Sequence, residues 1–117
     1  MRDNLKELRT LEELKSALDE SSDRTVLLFK HSLTCPISAR AFNEFQSYLS
    51  KADSSVSYNL ITVQTARNVS NEVAARLKLT HQSPQAILVR NGRKVWDASH
   101  FAITATALAQ AIESFSD

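Results

Sequence analysis

Val26-Leu27-Leu28-Phe29, inside the run Thr25–Lys30, is the segment that most restricts how this chain can fold. A strand with one wet face alternates polar and apolar residues. A near-continuous apolar run instead marks a central strand covered on both faces, with helices above and below the sheet. The flanking sequence supplies those helices. Thr10-Leu11-Glu12-Glu13 is a capping box, and Leu11, Leu14 and Leu18 follow at helical spacing, which predicts a helix over residues 11–20. From Pro36 to about Ser50, Phe42, Phe45 and Leu49 mark one buried helical face, with Ser38 and Ala41 one turn earlier. Around Ser70–Leu77 a third helix offers Val73, Ala74 and Leu77, and Thr104 caps a fourth whose Leu108, Ala111, Ile112 and Phe115 lie on one side.

Between these helices lie further strands: a short one at Leu5–Leu8, then Val56–Val63, Ala86–Val89 and Lys94–Ala98. Asn91-Gly92 joins the last two. Both central positions of a type I′ turn need positive φ, so this dipeptide predicts a tight antiparallel hairpin. The early strands, joined through helices, are expected to run parallel by right-handed crossover. The order (β)αβαβαββα defines an α/β fold, a mixed central sheet flanked by helices, in one domain over residues 1–117.

Composition narrows the function. Fourteen basic residues against thirteen acidic give a formal charge of +1, which gives no sign of electrostatic binding to nucleic acid or acidic membranes. Gly92 is the only glycine, so glycine-rich phosphate and dinucleotide loops are excluded. The N-terminus Met1-Arg2-Asp3-Asn4 opens no apolar signal segment, and no apolar run is long enough to span a membrane. A single cysteine makes no internal disulfide, as expected of a reducing cytoplasm.

That cysteine, Cys35, stands where the apolar strand gives way to the helical pattern, in Thr34-Cys35-Pro36-Ile37-Ser38. A thiol at a helix N-terminus meets the positive end of the dipole and unpaired N–H groups, and both favour thiolate over thiol. Pro36 suits the first helical turn. Ser38 holds the last place of a C-x-x-C pattern, so the attacking thiol is present and the resolving one absent. The alternative is a buried, inert cysteine.

Taken with His81-Gln82-Ser83-Pro84-Gln85 and Ala98-Ser99-His100-Phe101, these residues resemble the thioredoxin superfamily and, within it, the YtxJ family of monothiol bacilliredoxins. The resemblance spans essentially the whole chain. It implies a thioredoxin-like fold and a cytoplasmic thiol–disulfide exchange enzyme that removes bacillithiol from S-bacillithiolated client proteins. Bacillithiol would be the low-molecular-weight co-substrate, with no tightly bound cofactor. Cys35 would be the nucleophile, Thr34 and Pro36 would shape its turn, and Pro84 would match the superfamily's cis-proline. Pattern alone makes Ser83–Pro84 a trans bond at a strand edge; the resemblance makes it cis, with Pro84 beside Cys35 and the Ser83 backbone facing substrate.

Several residues admit two readings. Ser38 either donates its hydroxyl to the thiolate or fills the interior face of the helix. His31 either charges near neutrality beside the thiol or is a structural, hydrogen-bonded histidine. Lys30 and Arg40 either attract a carboxylate-bearing thiol or are simply solvated. The segment Ala98–Thr104, with His100, either offers N–H groups to bacillithiol's carboxylates or is ordinarily capped by Thr104. Trp96 is read as the anchor of a core edge. His31, His81, His100 and Cys35 match no usual zinc spacing, so no metal site is expected. Two other functions share the monothiol pattern: glutaredoxin-like deglutathionylation, against which the missing paired glycines count, and a non-enzymatic iron–sulfur scaffold.

Overall fold

In the computed structural model, which describes residues 4–115, the apolar run forms the middle strand of a five-stranded mixed sheet. The strands are β1 (Leu5–Glu7), β2 (Val26–His31), β3 (Ser57–Thr62), β4 (Gln85–Arg90) and β5 (Arg93–Ser99), in the order β1-β3-β2-β4-β5. The helices are α1 (Leu11–Glu20), α2 (Pro36–Leu49), α3 (Arg67–Leu77) and α4 (Ala105–Phe115). Residues 1–3, on which the absence of a signal segment was partly read, and 116–117 lie outside the described residues.

β2 pairs in parallel with β3, which pairs in parallel with β1. On its other side β2 runs antiparallel to β4, a reversal that the sequence does not announce: α3 carries the chain across to the far side of β2 and turns it round. The hairpin forms as predicted, with Asn91 at φ 55° and Gly92 at φ 74°. Its backbone is tied to the end of α1 by Asn91 N–H on the Ser21 carbonyl at 2.8 Å and Gly92 N–H on Ser21 Oγ at 2.9 Å.

Alternation along β2 divides the interior in two. Leu27 and Phe29 face α2 and α4, with Phe45, Tyr58, Leu88, Leu108 and Ile112. Val26 and Leu28 face α1 and α3, with Leu14, Ile61, Val69, Val73 and Ile87. The capping box at Thr10 is complete, Glu13 N–H on Thr10 Oγ1 at 3.1 Å and Thr10 N–H on Glu13 Oε1 at 3.1 Å. Two helical stripes overreach their cores: Leu11 and Phe115, in terminal turns, are 46% and 40% exposed. α3 begins at Arg67, three residues before the expected start. Its N-cap is Ala66, which offers no capping side chain and so leaves no signal in the sequence.

Phe29 is fully buried and stacks on Phe45 with centroids 4.7 Å apart and planes within 3°. Replacing it by alanine leaves a ring-sized void between sheet and α2. Phe29→Ala is expected to cost about 3–5 kcal/mol, measured as a shift in the urea midpoint at unchanged m-value.

Candidate functional site

The topology gathers four connections at one end of the sheet. β2 and β3 are parallel, so the turns leaving them lie together. β4 starts, and β5 finishes, at that same end. The segments carrying Cys35, Gln64, Pro84 and His100 therefore converge where β2 stops.

Cys35 is the N-cap of α2, with extended backbone (φ −100°, ψ 121°), and its carbonyl accepts the Ala39 N–H at 3.1 Å. The thiol is partly exposed and caps no backbone group. Pro36 takes the first helical position, where its lost donor costs nothing. Thr34 is exposed on the turn that precedes it.

Ser38 is fully buried, and its hydroxyl is committed elsewhere than to the thiol. Its Oγ accepts the Ser32 N–H at 2.8 Å and bonds His31 Nδ1 at 2.9 Å. The reading in which Ser38 donates to the Cys35 thiolate is therefore corrected. Ser38 ties α2 to the end of β2. His31 also departs from the charged reading. Burial pushes its pKa below 6.5, so the ring is neutral at neutral pH, stacked on Phe42 at 4.6 Å and held by Ser38.

A residue that sequence reasoning missed completes the turn. Gln64, in the connection after β3, accepts the Leu33 N–H on Oε1 at 3.1 Å. Its Nε2 donates to Ser32 Oγ at 2.8 Å and, more weakly, to Thr34 Oγ1 at 3.4 Å. No motif marks an exposed glutamine thirty residues from the turn it holds.

The Ser83–Pro84 peptide bond is cis. Gln85 pairs with Lys30, so Pro84 lies one position beyond, level with the end of β2. Ser83 Oγ is buried, with no hydrogen-bond partner among the described residues. His100, half-buried, adopts the left-handed region at φ 55°, and its N–H donates to the Pro84 carbonyl at 3.2 Å, which joins the fourth segment to the third.

Ala98–Thr104 includes a 3-10 turn, His100–Ala102, and runs into α4. The Ala105 N–H donates to the Glu44 carboxylate at 2.8 Å and the Ala107 N–H to Thr104 Oγ1 at 3.1 Å. The start of α4 thus already holds a carboxylate of its own, and the reading in which its N–H groups receive those of bacillithiol is corrected in favour of capping. Arg40 lies over the ring of Phe101, 5.4 Å from its centroid. Trp96 packs, half-buried, against the α2–α4 core.

Lys30 is corrected as well. It is 0% exposed and points to the α1–α3 side of the sheet, where Nζ lies 3.0 Å from His81 Nδ1. No carboxylate pairs with it among the described residues. Burial brings its pKa down from 10.5 to about 8. His81 is also lowered, by burial first and then by the charges of Lys30 and Arg67, which favours a neutral ring whose Nδ1 accepts a hydrogen bond from Lys30 Nζ. Among the described residues no three His, Cys, Asp or Glu side chains cluster as metal ligands do, and no helix is long and apolar enough to cross a membrane.

Comparison with known proteins gives this geometry its class. A solved structure described as a candidate oxidoreductase with a thioredoxin fold superposes with a TM-score of 0.81 at 34% identity over 92% of each chain. Thioredoxin from Malassezia sympodialis matches 97% of this chain and 91% of its own (TM-score 0.77, 16% identity). Thioredoxin from Fasciola hepatica matches 93% and 97% (TM-score 0.72, 19% identity). The fold is that of thioredoxin. The family model for the monothiol bacilliredoxin BrxC matches residues 6–108, and the chain belongs to that family. Fold and family together place it among the thiol–disulfide oxidoreductases.

Two measurements follow. Ser38→Ala leaves His31 Nδ1 and the Ser32 N–H without their buried partner and is expected to cost about 1–3 kcal/mol in chemical denaturation; a mere space-filler would tolerate the change. Lys30 has its folded pKa below its unfolded one. Below about pH 8 both states carry the proton and the full cost of the buried charge is present. As pH rises towards 10.5 the unfolded chain keeps a proton that the native state has released, so this contribution to stability rises. Lys30→Met is expected to stabilise the protein by roughly 1–3 kcal/mol at pH 7 and to flatten that rise. Urea titrations of both proteins at pH 7 and pH 10 check it.

Proposed function

We propose that this single domain removes bacillithiol from S-bacillithiolated cytoplasmic proteins through a mixed disulfide on Cys35. The observation that carries the reading is the pairing of a partly exposed Cys35 at the N-cap of α2 with a buried Ser38 where a resolving cysteine would stand. The Cys35 thiolate attacks the bacillithiol sulfur of the client's mixed disulfide. A bond forms between Cys35 Sγ and that sulfur, the client–bacillithiol bond breaks, and the client leaves as a thiolate that takes a proton from water. With no second thiol in the chain, a further bacillithiol thiolate, or a reduced redox protein, then attacks the bound bacillithiol sulfur and releases Cys35.

Three features support this assignment. Cys35 shares its end of the sheet with cis-Pro84, whose carbonyl accepts the His100 N–H, and the Ser83 backbone and His100 would face substrate there. The strand entering the site carries no carboxylate, as suits chemistry in which no second thiol needs a base. Leu33 and Phe101, 63% and 61% exposed at this end, offer apolar contact to a client. Thr34 and Pro36 set the turn that presents the sulfur.

Intact-mass analysis tests the reading. After exposure to bacillithiol disulfide, wild type is expected to gain one bacillithiol adduct and Cys35→Ser none. Wild type is expected to clear a bacillithiolated client at least ~10-fold faster than a glutathionylated one, since poised contacts to one ligand commonly separate analogues by that factor. Equal rates for wild type and Cys35→Ser would end the proposal, and a preference for the glutathionylated client would replace bacillithiol with glutathione.

A further inference from the structure

Among the described residues, Gln64 is the one side chain hydrogen-bonded to all three residues between β2 and the nucleophile, and nothing in the chemistry above assigns it a task. Its own anchorage is firm. The Val63 N–H donates to the His31 carbonyl at 2.9 Å, and the Ala66 N–H to the Thr62 carbonyl at 2.9 Å, which fixes the connection between β3 and α3 against the end of β2. From that platform the amide reaches across the surface. It takes the Leu33 N–H on its oxygen and gives its two protons to the hydroxyls of Ser32 and Thr34.

The turn is thus gripped from two sides. Ser38, within the protein, holds the Ser32 N–H; Gln64, at the surface, holds the Leu33 N–H and both hydroxyls. Two consecutive backbone donors that have left the ladder of β2 are satisfied by side chains of other elements. An exposed hydrogen bond contributes little alone because water competes for it. Three bonds on one side chain share a single cost of ordering it, so together they hold a short turn that no helix or sheet ladder covers. Thr34 leads directly into the extended backbone of Cys35, so the angle at which the chain enters the N-cap is set by this grip.

We infer that Gln64 is a positioning residue for thiol–disulfide exchange, holding Ser32-Leu33-Thr34 so that Cys35 Sγ is aimed along the axis of an incoming disulfide. The inference rests on the proposed exchange chemistry at Cys35. Attack on sulfur requires the three sulfur atoms in line, and small misplacements at a reacting centre cost one to two orders of magnitude in rate. A bulky protein disulfide reaches the thiol from one direction only, whereas a small activated disulfide approaches from many. Loss of aim should therefore slow the first and spare the second.

The experiment uses Gln64→Met, which keeps the length of the side chain and removes its polar atoms, and Gln64→Glu, whose carboxylate still accepts the Leu33 N–H and both hydroxyl protons. Hydrogen exchange reads the grip without reference to activity. The Leu33 amide is expected to exchange at least ~10-fold faster in Gln64→Met and to stay protected in Gln64→Glu, because protection follows the hydrogen bond. Rates are read near pH 9, where an ordinary cysteine thiol is ionised. Gln64→Met is expected to resolve a protein mixed disulfide about 10-fold more slowly than wild type while reacting with 2,2′-dithiodipyridine within about twofold of it. Gln64→Glu is expected to regain the protein-disulfide rate to within about threefold. Unchanged Leu33 exchange in Gln64→Met overturns the grip. Unchanged protein-disulfide rates, equal slowing of both disulfides, or failure of Gln64→Glu to recover overturns the positioning role. Bacillithiol and glutathione mixed disulfides are run in parallel: wild type inactive on the first fails the bacillithiol reading, while exchange at Leu33 and the rate on the second still judge Gln64.

Discussion

One buried hydroxyl, Ser38 Oγ, governs how β2 hands the chain over to α2. A strand buried on both faces ends abruptly at His31, and the residues beyond it lose the hydrogen-bond ladder while still close to the interior. Ser38 lies in the first turn of α2 and takes the Ser32 N–H and His31 Nδ1 together, so strand end, turn and helix start are held by one oxygen. The stacking of His31 on Phe42 and of Phe29 on Phe45 then seats the helix on the sheet. Cys35 stands in this junction partly exposed, its side chain capping no backbone group.

The same residue explains the single-thiol design in physical terms. A cysteine at position 38 would put a second sulfur in a fully buried place that here must accept a backbone N–H, a poor role for a thiol. The face of the sheet beneath α2 is apolar where β2 and β3 meet in register, Phe29 against Leu60, and no carboxylate stands ready to take a proton. The buried cation Lys30 lies on the opposite face and is satisfied by His81. The carboxylate of Glu44 is spent on the start of α4, where it accepts the Ala105 N–H.

Much of this was legible in the chain, for local reasons. A capping box, a proline at the first turn, an Asn-Gly pair and a doubly covered apolar run each state a backbone preference within a few residues, and all four formed as read. Contacts among distant residues were not legible in the same way. Nothing near Gln64 indicates that it faces Ser32-Leu33-Thr34, because that meeting depends on β3 pairing beside β2. Lys30 read as a surface charge because a lone cation gives no local sign that its neighbours will bury it. Nothing near Glu44 shows that its carboxylate accepts the Ala105 N–H, because that contact depends on α4 packing against α2. His100 shows no local pattern of a left-handed residue; its N–H finds the Pro84 carbonyl only once β5 pairs with β4.

Sequence alone determined the order of helices and strands and the place of the one cysteine at a helix start, since each follows from neighbours within one or two turns. Tertiary structure alone decided what surrounds that sulfur: which hydroxyl grips the turn, which histidine is neutral, which lysine is buried and which proline stands opposite. Those outcomes belong to strand register and helix packing, which bring residues as far apart along the chain as Leu33 and Gln64 or Lys30 and His81 together.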